Sequence, residues 1–377
     1  MIERISATQL REELAADPSV PVVDTRGADS FGEWHIPGAI NLPFSSGDTL
    51  SSDAIPDEVV SQDRAITICG KGVSSSDVAP HLLEAGIGQV MIVDEGMEGW
   101  SQVYDTTEVD LDDDVLTLQL QRVAKGCLSY IVACQTTAQT VVIDPPIHHD
   151  PIMATLGTHD LEVVSVIDTH VHADHVSGAS SLAEHLDVPY VISERSSDRG
   201  LAHDHVSLAD TEVFSVGELD LRAMATPGHT TDIMSLVLEN QAVFTGDTLF
   251  TDAVGRTELD STDAAEDQAR RLYHSLHERL LDLPAETVVL PGHFEPSFAT
   301  IRAHPRPRQT TIGGARSDID LLSEDEDTFV DRIVDREASR PPNYEDIISL
   351  NLGERQLPPT DELIELELGP NRCAAPA

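Results

Sequence analysis

The chain has 377 residues, enough for two or three domains with sizeable cores. Its 23 Lys and Arg face 67 Asp and Glu, a formal charge of -44 that excludes a general nucleic-acid surface. No apolar run approaches the ~18 residues that span a bilayer, and Met1-Ile2-Glu3-Arg4 opens no secretion signal, so a soluble cytoplasmic protein with no membrane partner is expected.

The acids are scattered along the chain, and only Lys71 and Lys125 are lysines, a composition that resembles halophilic proteins. Such a charge opposes the compact state unless salt screens it. Cys69, Cys127, Cys134 and Cys373 form no CxxC pair, which suits a reducing compartment.

In chain order, Ser6-Ala7-Thr8-Gln9 has the capping-box spacing and predicts a helix from Ala7 towards Ala15. A strand at Val20 to Val23 follows, ending in Asp24-Thr25-Arg26, and then the Pro- and Gly-fixed loop Trp34-His35-Ile36-Pro37-Gly38-Ala39. A second strand, Ala65 to Ile68, delivers Cys69 into Gly70-Lys71-Gly72-Val73-Ser74-Ser75, with helical spacing beyond it through Val78, Leu82 and Leu83. Glycines let successive N–H groups point inward, and a helix N-terminus behind them favours an anion, here a thiolate. Cys69 is therefore read as a nucleophile at neutral pH or as the carrier of a persulfide sulfur.

Asp24-Thr25-Arg26, Trp34 to Ala39, Cys69 to Ser75 and Gly96-Met97-Glu98-Gly99-Trp100 together resemble the rhodanese family over residues 1–104. The resemblance implies an α/β domain in which Cys69 carries sulfane sulfur, cradled by Gly70, Lys71, Gly72, Val73, Ser74 and Ser75.

Residues 105–112 are acidic and aperiodic and read as a solvated linker, with a second domain over 113–377. Alternating runs at Leu116 to Leu120 and Ser129 to Ala133, and Thr140 to Ile143, predict strands, the last ending at Asp144. The β-branched run Glu162 to Ile167 predicts a buried strand, with a helix from Val176 to Leu186. Between them lies Thr169-His170-Val171-His172-Ala173-Asp174-His175, three imidazoles and a carboxylate that read as a site for iron, zinc or manganese. Asp144 at its strand end is placed to orient a ligand histidine. His229, Asp247 and His293 each follow an apolar run beside Gly or Pro and join the same set. In 301–377, Ser323-Glu324-Asp325-Glu326 has a capping-box pattern, and Phe329, Val330, Ile333 and Val334 share a helical face, giving a helical extension that covers the second domain.

The ordered set Asp144, His170, His172, Asp174, His175, His229, Asp247 and His293 resembles the metallo-β-lactamase superfamily, which implies a four-layer αββα sandwich with metal at one edge. The whole chain is thus expected to be a two-domain α/β protein. Gly126-Cys127-Leu128-Ser129-Tyr130, Gly255-Arg256-Thr257 and Asn371-Arg372-Cys373 are most similar to persulfide dioxygenases. That resemblance implies one Fe(2+) on His170, His229 and Asp247, with His172, Asp174, His175, His293 and Asp144 around it, and Arg256 against the substrate. It also implies O2, a small thiol persulfide, and thiosulfate or sulfite as reactants. Two alternatives stand beside it: a glyoxalase II-type thioester hydrolase with two Zn(2+) or a mixed metal pair, and a non-oxidative sulfur carrier. The oligomeric state is left open, a homo-oligomer included, and Cys127 and Cys134 are read as buried structural residues.

Overall fold

A computed structural model describes residues 1–45, 47–239, 241–258, 264–335 and 340–376. Ser6 caps the helix Ala7–Ala16: its hydroxyl accepts from Gln9 N while the Gln9 side chain accepts from Ser6 N, the reciprocal pairing the spacing predicts. The first domain is a five-stranded parallel sheet in the order Ile2–Ile5, Gln89–Val93, Arg64–Ile68, Val22–Asp24, Ile40–Asn41. Both faces are buried, one under Leu10, Leu14 and Trp100 and the other under Val59, Val78 and Leu82. That is why its central strands are mostly apolar, while the edge strand Ile2–Ile5 carries Glu3 and Arg4.

The acidic segment read as a solvated linker is a strand in its first half. Tyr104–Val109 pairs antiparallel with Val115–Arg122 and edges a seven-stranded sheet. An edge strand tolerates charge on its open side, and Asp105 accepts from Arg11 Nε at 2.9 Å.

That sheet continues through Leu128–Cys134, Gln139–Ile143, Glu162–Ile167, Tyr190–Ser193 and Val206–Leu208. A six-stranded sheet runs Val213–Val216, Leu219–Ala225, Met234–Leu238, Ala242–Gly246, Val288–Pro291, Thr310–Thr311. Their inner faces share one core, in which Tyr130 meets Phe244 edge-on at 5.0 Å. Helices Asp150–His159 and Ala179–Leu186 cover one outer face, and Ala265–Ser275, Ile312–Asp318 and Glu326–Val334 cover the other. The result is the αββα sandwich.

The helix expected from Val176 begins at Ala179, because Val176 packs against Ile347, Leu350 and Leu363 of the C-terminal extension. The helix Glu326–Val334 is capped by Asp325, whose carboxylate accepts from Thr328 N; the Ser323 hydroxyl instead donates to Asp320 O. Val334 is exposed, and the buried stripe is Phe329, Val330 and Ile333. Among the described residues no helix is long and apolar enough to cross a membrane.

Candidate metal centre

Asp144, the cluster from His170 to His175, His229, Asp247 and His293 all lie just beyond the C-terminal ends of strands, so the fold gathers them at one edge of the sandwich. All are 4% exposed or less. Close backbone approach is built in: a Cβ on Gly292 would sit 2.5 Å from Asp247 Oδ1.

Ligand atoms of His170, His229 and Asp247 lie within 4.8 Å of one another. His229 Nε2 and His170 Nε2 stand 3.5 Å and 3.9 Å from Asp247 Oδ2. His170 Nε2 and Asp247 Oδ2 make no hydrogen bond among the described residues. Buried polar atoms are rarely left so, and two imidazoles with a carboxylate are a fitting donor set for a divalent metal. Burial, reinforced by His172 and His229, holds His170 well below the usual imidazole range, so it is neutral and its lone pair is available. His229 Nδ1 faces the Arg256 carbonyl at 2.9 Å, which fixes the ring and leaves Nε2 for the metal.

A second group brings Asp174, His175 and His293 together with Cys127. His293 bridges the two groups, with Nδ1 2.5 Å from Asp247 Oδ1 and Nε2 2.9 Å from Asp174 Oδ2. Burial opposes its protonation, but Asp174 and Asp247 outweigh that and raise its pKa well above the ordinary value. Burial and Asp174 oppose ionisation of Cys127, yet His293 and His175 outweigh them and bring its pKa to about 7. A metal here would replace those protons.

His172 belongs to neither of these groups but to another metal-capable one, with Asp144 and Asp168. Its Nε2 lies 3.2 Å from Asp144 Oδ1 and 3.8 Å from Asp168 Oδ1, and its ring centroid is 4.2 Å from that of His170. Asp144 also accepts from Thr169 N and Oγ1, holding the start of the cluster. The Arg256 side chain is buried; Nε donates to Glu258 at 2.7 Å and Nη1 to the Arg372 carbonyl at 2.6 Å. The side chain thus ties down the C-terminal segment, while the Arg256 carbonyl holds His229.

Residues the sequence reading passed over also shape the centre. Asp168 accepts from Ser177 and Tyr190, and Asp232 accepts from Val171 N and from Ser196, pinning the histidine loop. Cys127 and Cys373 approach the metal-capable groups. In the sequence Cys127 and Cys373 stand out only within the dioxygenase-like motifs, and Asp168 and Asp232 not at all, because their partners come from distant strands.

Cys69 occupies a separate site. It is 3% exposed at the end of Arg64–Ile68, before the helix Ser74–Glu84. Gly72 has φ +78, and a Cβ there would strike the Asp94 carbonyl at 1.6 Å, so the loop requires glycine. The Ser75 hydroxyl donates to Cys69 Sγ at 3.4 Å. Burial raises the thiol pKa, but hydrogen bonds from Ser75, Ser74 and the Lys71 backbone more than offset it and lower it overall. Lys71 Nζ is exposed and lies 2.8 Å from Glu98 and 3.0 Å from Glu365 of the C-terminal extension.

The rhodanese-like domain family matches residues 6–103 and the metallo-β-lactamase superfamily matches residues 122–293. A β-lactamase hydrolase-like protein of Xylella fastidiosa is 31% identical over 54% of this chain and 52% of that protein, so the chain spans about half its length. The mitochondrial persulfide dioxygenase ETHE1 of Homo sapiens is 30% identical over 48% of this chain and 68% of that protein. The crystal structure of ETHE1 from Myxococcus xanthus superposes with a TM-score of 0.54 at 26% identity, covering 67% of this chain and 100% of the other.

Proposed function

The chain belongs to the metallo-β-lactamase superfamily and carries an N-terminal rhodanese-like domain, and from that premise we propose that it is a persulfide dioxygenase with a coupled sulfurtransferase site. The observation that carries this reading is the buried triad His170, His229 and Asp247, two histidines and one carboxylate whose ligand atoms lie within 4.8 Å of one another. Iron(II) held there would supply open positions for O2 and for a sulfur ligand. The overall change is RSSH + O2 + H2O → RSH + SO3(2−) + 2 H+, in which the terminal sulfur is oxidised and O2 reduced.

The protein's own groups prepare that chemistry. His170 is kept neutral by burial, and the Arg256 carbonyl fixes the His229 ring. Asp174 and His293 form a buried pair beside Asp247, and the His293 ring links the two carboxylates. Cys69, in its glycine cradle, would take sulfane sulfur from thiosulfate or return it to the same small thiol. Fusion of the two sites raises the effective concentration of the shared intermediate.

A second reading rests on the group Cys127, Asp174, His175 and His293. With a metal held by each of the two groups, the site would supply an activated water for attack on a thioester. Metal analysis of protein purified without added metal, paired with oxygen uptake on a small-thiol persulfide, separates the two. One iron per chain with uptake and sulfite is expected; two metals, no uptake and thioester cleavage would establish the hydrolase.

A further inference from the structure

A cavity beside the metal centre is not walled by the sandwich alone. Its volume is about 610 Å³, within the range of small-ligand sites, and its floor includes His293 and Cys373. Phe250 and Arg372 of the second domain form one side, and Trp34, His35 and Pro37 of the first domain form another.

This wall is held in place. Gly38, with φ +81, lies against Phe298, where a Cβ would meet the ring at 2.3 Å. Ile301 enters the core of the first domain alongside Leu10, Leu14 and Trp100. Arg11 Nη1 donates to the Ile301 carbonyl at 2.9 Å, and Arg302 Nη1 donates to the Pro18 and Val20 carbonyls at 2.6 Å and 2.8 Å. The segment that follows His293 is therefore anchored in the first domain. Trp34 is itself tied down through its carbonyl, which accepts from Arg26 at 2.6 Å.

We propose that the Trp34–Pro37 loop of the rhodanese-like domain is a specificity-determining wall of the metal centre's substrate pocket, where it grips the non-sulfur end of a small thiol carrier. The proposal rests on the dioxygenase reading for the identity of the ligand and on the cavity for its place. The first domain then has two tasks, sulfur transfer at Cys69 and substrate binding for its neighbour.

The chain has two tryptophans, and Trp100 is 1% exposed in the core, so Trp34 is the natural reporter of the pocket. The probe is S-methylglutathione, an unreactive thioether, titrated into the full-length protein while tryptophan emission is followed. A saturable emission change that Trp34→Phe removes is expected. With glutathione persulfide, His35→Ala should raise KM about three- to tenfold and leave kcat within about twofold, the signature of lost ground-state binding. Unmoved emission at saturating thioether, together with a wild-type KM in a folded His35→Ala protein, would overturn the proposal. If no persulfide supports oxygen uptake, the dioxygenase reading falls, while the thioether titration still decides the wall.

Discussion

Arg122 Nη1 donates to Glu367 Oε2 at 2.7 Å in a pair that is 2% and 1% exposed. Arg122 Nε also donates to the Ser101 carbonyl, and Glu367 Oε1 accepts from Val176 N, the residue after His175. Three stretches far apart in the chain, the end of the first domain, the first long strand of the sandwich and the C-terminal extension, thus meet at one buried ion pair behind the histidine loop.

Breaking such a pair leaves a buried charge without its partner. Glu367→Gln should lower the unfolding free energy by about 3–5 kcal/mol in urea denaturation. Burial raises the Glu367 pKa, but Arg122, Lys125 and His175 outweigh it and hold it below the ordinary value. A depressed carboxylate contributes stability that is fully present above its unfolded-state pKa, about 4.3, and is lost as pH falls through its lower folded-state value. The wild-type stability should therefore fall below about pH 4.3, and the variant's profile should be flatter there. Equal slopes would show that Glu367 does not titrate with folding.

Cys69 should react at lower pH than a free thiol. Its thiolate is stabilised by Ser75, Ser74 and the Lys71 backbone, so the iodoacetamide alkylation rate should reach half its maximum below about pH 8.5. Ser75→Ala removes the hydroxyl 3.4 Å from Sγ and should move that midpoint upward. A midpoint unchanged in the variant would assign the lowering to the loop backbone alone.

Much of this architecture was legible from local pattern. The capping box at Ser6, the β-branched run Glu162 to Ile167 and the glycine loop after Cys69 each specify their structure within about ten residues, and each forms as expected. The wider metal-capable set was legible because every member follows an apolar strand, whereas singling out His170, His229 and Asp247 within it came from the family resemblance. What local pattern could not reveal is pairing between distant segments. Tyr104–Val109 looks like a linker because its partner strand and Arg11 are invisible in its own composition. The Arg256 side chain reaches the Arg372 carbonyl near the C-terminus, a pairing that neither stretch shows alone. Cys127 draws its character from His175 and His293, which arrive from two other strand ends.

Salt should stabilise the protein. At a charge of -44, screening relieves repulsion that is long-range in dilute buffer, where the Debye length is about 10 Å, and short-range at molar salt, where it is about 3 Å. The thermal midpoint should rise by roughly 10 °C between about 0.1 M and about 2 M KCl. The exposed Lys71 contacts with Glu98 and Glu365 weaken under the same conditions, so a falling midpoint would mean that ion pairs of this kind, not repulsion, dominate.

The triad and the group containing Cys127 give opposite outcomes for a mononuclear and a dinuclear centre. His229→Ala removes a donor from the triad and, for one iron, should reduce metal content to near zero and oxygen uptake by more than about a hundredfold. His175→Gln alters the group containing Cys127 and should leave one iron per chain. Sulfur transfer from thiosulfate through Cys69 should persist in both variants, because that site is built from a different sheet. Cys69→Ser should show the converse, losing sulfur transfer and keeping oxygen uptake. If His175→Gln halves a content of two metals and abolishes thioester cleavage, the second group is a true ligand set and the hydrolase reading takes over.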